Sequence, residues 1–185
     1  MARYFSALVL AAMMLAVPPA AQASSLNKKT EADIGRAISI ALPLAAYGIS
    51  YAHDDDWAGM EELSTVTGLT VGAALLTREF VRKRSPDGSS DRSFPSIEAA
   101  LATPAEGYLW RRYGWEYGLP AFVLSHGASL LLDDAGKHRF VDGLAVTAVA
   151  AVLNWGITTE YHDYRWSYGA SVDANGVFVG IHVAM

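Results

Sequence analysis

PSIEAALATPAEGYLWRRYGWEYGLPAFVLSHGASLLLDDAGKHRFVDGLAVTAVAAVLNWGIT, residues 95–158, decides the fold. It holds three apolar helical patterns, at 96–112, 116–132 and 138–158, broken at Tyr113-Gly114 and at Asp133-Asp134. Connections this short make consecutive helices antiparallel neighbours, hence a bundle. Working back, the apolar run 34–52 follows Thr30-Glu31-Ala32-Asp33, which resembles a capping box, and is read as a first helix. A second is expected over 63–80. The tract 82–92, basic and then rich in Ser, Gly and Asp, is expected to be a surface loop. Working forward, 166–172 and 177–183 alternate around Asn175-Gly176, the pattern of a β-hairpin. The fold class expected is therefore all-α, an antiparallel bundle of about five helices with a small C-terminal hairpin.

The two ends frame that bundle. Arg3, a nearly unbroken apolar stretch over 5–17 and Ala21-Gln22-Ala23 read as an export signal, residues 1–23. The apolar stretch is shorter than the ~20 residues of a span. The expected domains are thus a signal peptide at 1–23, a helical domain at 24–160 and a tail at 161–185. The expected location is the cell envelope, periplasmic or associated with the inner membrane.

Composition narrows the function. With 185 residues, 52% of them apolar, there is room for one domain with a proper core. The net charge of −5 and the lack of a basic block argue against a nucleic-acid partner. Without cysteine there are no disulfides, thiolate nucleophiles or thiolate metal sites. Membrane insertion stays open at this level. Charge-free runs, such as the 16 residues of 37–52, fall short of a span. Glu98, Pro104 and Glu106 make a lipid-facing third helix expensive. Alternate threading also places the basic 82–92 loop opposite to the positive-inside tendency.

Single residues suggest chemistry only weakly. His138 and Asp142 are four apart on an expected helix, so the carboxylate can orient the imidazole and leave its other nitrogen to attack. Ser96, after Phe94-Pro95, is expected at a helix N-cap, where backbone N–H groups face any anion.

Order and spacing say more. Arg78-x6-Ser85-Pro86, then Pro95-Ser96-Ile97-Glu98, then Leu131-Leu132-x5-His138-x3-Asp142 resemble, in series, three blocks of the type 2 phosphatidic acid phosphatases and vanadium haloperoxidases. Those blocks are Lys-x6-Arg-Pro, Pro-Ser-Gly-His and Ser-Arg-x5-His-x3-Asp. Residues 107–120 and 135–143 are similar to the short bacterial members, and the likeness spans about 33–155. The resemblance implies a nucleophile at His138, oriented by Asp142, with Glu98 where the general-acid histidine stands. It implies phosphate contacts at Arg78, Ser96 and the Ser85 position, with Arg84 adjacent. No cofactor and no metal are implied.

The departures are as telling. Arg78 replaces a lysine, Ser85 and Leu132 each replace an arginine, Ile97 replaces a glycine, and Glu98 replaces the general acid. Losing one group that stabilises transition-state charge costs roughly 10²–10³ in rate, and losing a general acid about 10²–10⁴. A carboxylate is stabilised in the first turn of a helix, and there it would repel a phosphate. The motifs by themselves therefore favour a degenerate member that binds a lipid phosphate, a membrane surface or a protein partner. The alternative is an envelope phosphatase acting on lipid or isoprenyl phosphates through a phosphohistidine at His138. A metal hydrolase built from His53, the acidic run 54–56, Glu98, His138 and Asp142 is a third, weaker reading.

Overall fold

The computed structural model describes residues 27–53 and 57–161 and, in backbone, 167–173 and 176–182. The expected signal peptide and the acidic residues 54–56 lie outside the described residues. Five helices build the body: α1 Lys28–His53, α2 Ala58–Phe80, α3 Ile97–Tyr113, α4 Trp115–Asp134 and α5 Phe140–Ile157. Number and order match the expectation. The first two helices begin earlier than the apolar pattern does. Asn27, not Thr30, starts α1: its side chain accepts from Lys29 N at 2.9 Å, and its carbonyl takes Glu31 N at 3.1 Å. The resemblance to a capping box at Thr30 was misleading, because that segment is already helical.

α3 is the centre of the bundle and touches all four other helices. Its small residues make this possible: Ala99, Ala100, Ala102 and Ala105 are all buried. Together with Leu42, Ala46 and Ile49 of α1, Leu63 of α2 and Ala121 and Leu124 of α4, the residues Tyr108 and Leu109 complete the main core. Central burial also answers the objection raised by Glu106. That carboxylate faces His126 of α4 at 3.4 Å, inside the bundle rather than on its rim.

The turns agree with local chemistry. Gly114 adopts φ 90°, which only glycine takes freely, so α3 and α4 reverse within one residue. α4 ends in a Schellman motif with Gly136 at φ 76°. Lys137 N donates to Leu132 O at 2.9 Å and Gly136 N to Asp133 O at 2.8 Å. The up-and-down path gathers the start of α1, the end of α2, the loop 81–96, the start of α3 and the α4–α5 turn at one end. Arg36 and His53 of α1 are 17 residues apart, roughly 25 Å along the helix.

Among the described residues two helices, α1 and α5, are long and apolar enough to cross a membrane. Large apolar side chains are exposed on every helix, among them Leu44, Leu76, Leu119 and Val152. Four exposed tryptophans, Trp57, Trp110, Trp115 and Trp155, sit at the end of the bundle opposite the turn that carries His138.

Candidate active site

The α4–α5 turn presents the implied nucleophile. His138 precedes α5, which starts at Phe140, so it does not share a helix face with Asp142 as the spacing suggested. The turn is held firmly. Its Schellman bonds are joined by Asp133 Oδ2, which accepts from Phe140 N at 3.1 Å. His138 is 2% exposed. Its Nδ1 lies 3.2 Å from the carbonyl oxygen of Arg139. A carbonyl only accepts, so Nδ1 is the donor, and in the neutral imidazole Nε2 then keeps its lone pair. Nε2 is buried with no hydrogen-bond partner among the described residues.

Asp142 is engaged elsewhere. Its Oδ2 accepts from Arg139 N at 3.2 Å, capping α5. Its Oδ1 lies 2.5 Å from Lys83 Nζ. The orienting contact assigned to Asp142 by resemblance is made here by a backbone carbonyl, and the carboxylate serves the helix start and a lysine.

The loop 81–96 is stitched to this turn. Asp87 N donates to Gly136 O at 3.0 Å, and Lys137 Nζ reaches Asp87 Oδ2 at 2.7 Å. Lys137, then Ser89 and Ser85, hold the Asp87 carboxyl well below the usual carboxylate range. Lys83 is pinned by Ser93 N, which donates to its carbonyl at 2.8 Å, and its ammonium stands 5.6 Å from the Phe94 ring centroid.

The implied phosphate contacts meet different fates. Ser96 is the N-cap of α3, as expected: it is buried and accepts from Ala99 N at 3.2 Å. The Ser85 hydroxyl is spent within the loop, donating to Asp87 Oδ1 at 2.7 Å and accepting from Ser90 N at 2.9 Å. Arg84 is exposed and lies over Gly88, where an added Cβ would stand 3.6 Å from its guanidinium. Arg78 occupies the last turn of α2, and its Nε is buried without a hydrogen-bond partner among the described residues.

The degenerate positions also look different in three dimensions. Ile97 packs with Ala74, Ala99, Ala100 and Val146, between α2, α3 and α5. Leu132 packs with Ala32 and Ala135 and presses on Gly35. Glu98 lies 3.7 Å from Arg36 of α1, a counter-charge that the motifs do not contain. The first turns of α3 and α5 meet where an added Cβ on Gly143 would stand 3.6 Å from Ala99 Cβ and 3.2 Å from Ser129 Oγ.

Motif reading missed two residues. Lys83 hid in the basic tract just before Ser85-Pro86. Arg36 carries no signal in the sequence, because only the packing of α1 brings it to Glu98. Among the described residues the metal set is not assembled: His53 ends α1 beside Tyr117, whose hydroxyl lies 3.1 Å from its Nε2. Glu98 and Asp142 begin their helices at the other end.

Among curated proteins, the chain is similar to the lipid A 4'-phosphatase of Helicobacter pylori (strain J99), 29% identical over 140 residues that cover 68% of each chain. No family model matches it, and no solved structure matches it. With the three motif blocks in order on a five-helix bundle, this similarity supports the resemblance to the type 2 phosphatidic acid phosphatase superfamily.

Proposed function

We propose that the chain is a membrane-associated phosphatase that removes phosphate from a lipid, with His138 as nucleophile. One observation carries this: a buried histidine whose Nδ1 is fixed by a carbonyl and whose Nε2 has no partner among the described residues. A buried polar atom left unpaired costs stability and needs a reason; a nucleophile awaiting phosphorus is one. The similarity is to a protein named as an enzyme, which supports catalysis over the non-catalytic reading that the motifs favoured. A protein partner draws no support from it.

The step is an in-line displacement. Nε2 of His138 forms a bond to phosphorus, and the bond from phosphorus to the lipid oxygen breaks with its electron pair. That oxygen leaves as an alcohol after taking a proton from water, because Glu98 is paired with Arg36 rather than free as an acid. Water then attacks the phosphohistidine, releasing inorganic phosphate and restoring Nε2. Ser96 and the first-turn N–H groups of α3 supply neutral donors to the phosphate.

A lipid substrate is favoured by where the site lies. The apolar faces of α1 and α5 and the exposed leucines and valines suit a bilayer. Four tryptophans at one end suit its interface. A groove of about 100 Å³ lined by Ala73, Thr77, Phe94, Pro95, Val146 and Val149 opens beside the loop that carries Lys83. We place the His138 end at the periplasmic side of the inner membrane, after removal of residues 1–23. For the tail, the alternation of residues 166–172 and 177–183 around Asn175-Gly176 is the ground for a terminal hairpin.

The deciding assay is phosphate release from phosphatidate and from an isoprenyl diphosphate by the purified chain. His138-dependent turnover is expected. A well-folded protein with no release above the His138→Ala control would return the chain to the binding role.

A further inference from the structure

We propose that Lys83 is the phosphate-positioning cation of this chain, standing in for the guanidinium whose place Leu132 has taken. Lys83 has this role only if the chain is a phosphatase, as proposed above.

The loss at Leu132 cannot be made good locally. That side chain is sealed against Ala32, Gly35 and Ala135, so the old position has become core. A phosphate dianion beside His138 still needs fixed positive charge. Lys83 is brought to the start of α5, four residues after His138, by its pair with Asp142 at 2.5 Å. Asp142 is 1% exposed, whereas the lysine side chain is 36% exposed. The lysine therefore has a buried anchor and an open side.

An ammonium has three donors in a rotatable head. One is directed to Asp142, which leaves capacity for an oxygen of an incoming phosphate. Phe94 lies beneath the ammonium at 5.6 Å, and Ser93 N holds the backbone at 2.8 Å, so the head is placed before a ligand arrives. Phe94 is two residues before the N-cap Ser96, so the ammonium stands beside the segment that enters α3. Asp142 is thereby a holder of the cation, a different task from orienting the imidazole.

Arg78 and Arg84 are the rival cations. Arg84 lies over Gly88 on the exposed side of its loop, and Arg78 belongs to the last turn of α2. Neither makes a hydrogen bond or ion pair to the α5 start among the described residues.

The test compares the full chain in detergent with Lys83→Arg, Lys83→Met, Asp142→Asn and the Lys83→Met/Asp142→Asn double variant. The double variant removes both charges, so it keeps the fold if an unpaired buried carboxylate disables the single one. Phosphatidate turnover and calorimetric binding of inorganic phosphate are read in parallel. Lys83→Met should lower kcat/KM by about 10²–10³, and Lys83→Arg should recover most of it. The double variant should bind phosphate at least ~10-fold more weakly than Asp142→Asn alone. Equal phosphate binding by those two would make Lys83 a mere partner of Asp142 and overturn the proposal. So would a Lys83→Met protein with wild-type kcat/KM. A wild-type chain that neither binds phosphate nor releases it would instead remove the phosphatase reading, and the role of Lys83 with it.

Discussion

The guanidinium of Arg36 on α1 stands 3.7 Å from the carboxylate of Glu98 in the first turn of α3. It offsets the charge that the sequence places where a phosphate must approach. Both side chains keep solvent contact, so the pair contributes little to stability, about 0–1 kcal/mol. Its expected effect is on substrate. Arg36→Gln should raise KM by about 2–5-fold with unchanged thermal unfolding, and adding Glu98→Gln should return KM toward the starting value. Steady-state phosphate release from both variants checks this.

Glu98→His should raise kcat by at least ~10-fold, because it returns a proton donor to the leaving oxygen and the side chain at this position is 26% exposed, with room to change. The gain should be largest for substrates with poor leaving groups. A rate equal to the parent's on both alkyl and aryl phosphates would show that proton delivery is not limiting.

Leu132→Arg should unfold the bundle rather than restore the ancestral cation. Leu132 is 1% exposed, and a Cβ on Gly35 would stand only 2.8 Å from its Cγ. An uncompensated charge there costs about 3–5 kcal/mol or more. The smaller change Leu132→Ala should cost about 2–5 kcal/mol and leave a folded protein. Size-exclusion profiles and thermal melts in detergent distinguish the two.

The clasp between the two site loops should survive mild acid. Lys137 above all, then Ser89 and Ser85, depress the Asp87 carboxyl. A depressed carboxyl contributes stability that is fully present above its unfolded value, about 3.9, and is lost only as pH falls through the lower folded value. Asp87→Asn removes the ion pair at every pH. Limited proteolysis in the 82–92 loop should therefore be slow for the parent at both pH 7 and pH 5. For Asp87→Asn it should be fast at both, with a fall in kcat because Lys137 adjoins His138.

Trp57, Trp110, Trp115 and Trp155 should share one depth if the bundle sits in a bilayer. In vesicles, a headgroup quencher should reduce most of their fluorescence, and a quencher at the bilayer centre should reduce little. Release of monodisperse protein by a carbonate wash without detergent would oppose membrane insertion.

Periodicity and breaks determined the helices. Apolar spacing, Tyr113-Gly114 and Asp133-Asp134 specify local backbone states, which nearest neighbours in the chain largely decide. The N-cap at Ser96 was legible for the same reason, since capping is a contact three residues long. The ordered blocks around Ser96 and His138 likewise carried the resemblance.

What surrounds His138 was settled only by packing. Arg36 and Glu98 are 62 positions apart, and Lys83 and Asp142 are 59 apart; no local rule pairs either. The nitrogen of His138 is oriented by a backbone carbonyl, which every residue possesses and no motif records. The packing of Ile97 and Leu132 against apolar clusters likewise depends on which helices happen to face them. Sequence alone determined the helices and the order of the motif residues. Tertiary structure decided which charges stand beside them, because long-range electrostatic and packing contacts form only once α3 is enclosed by its four neighbours.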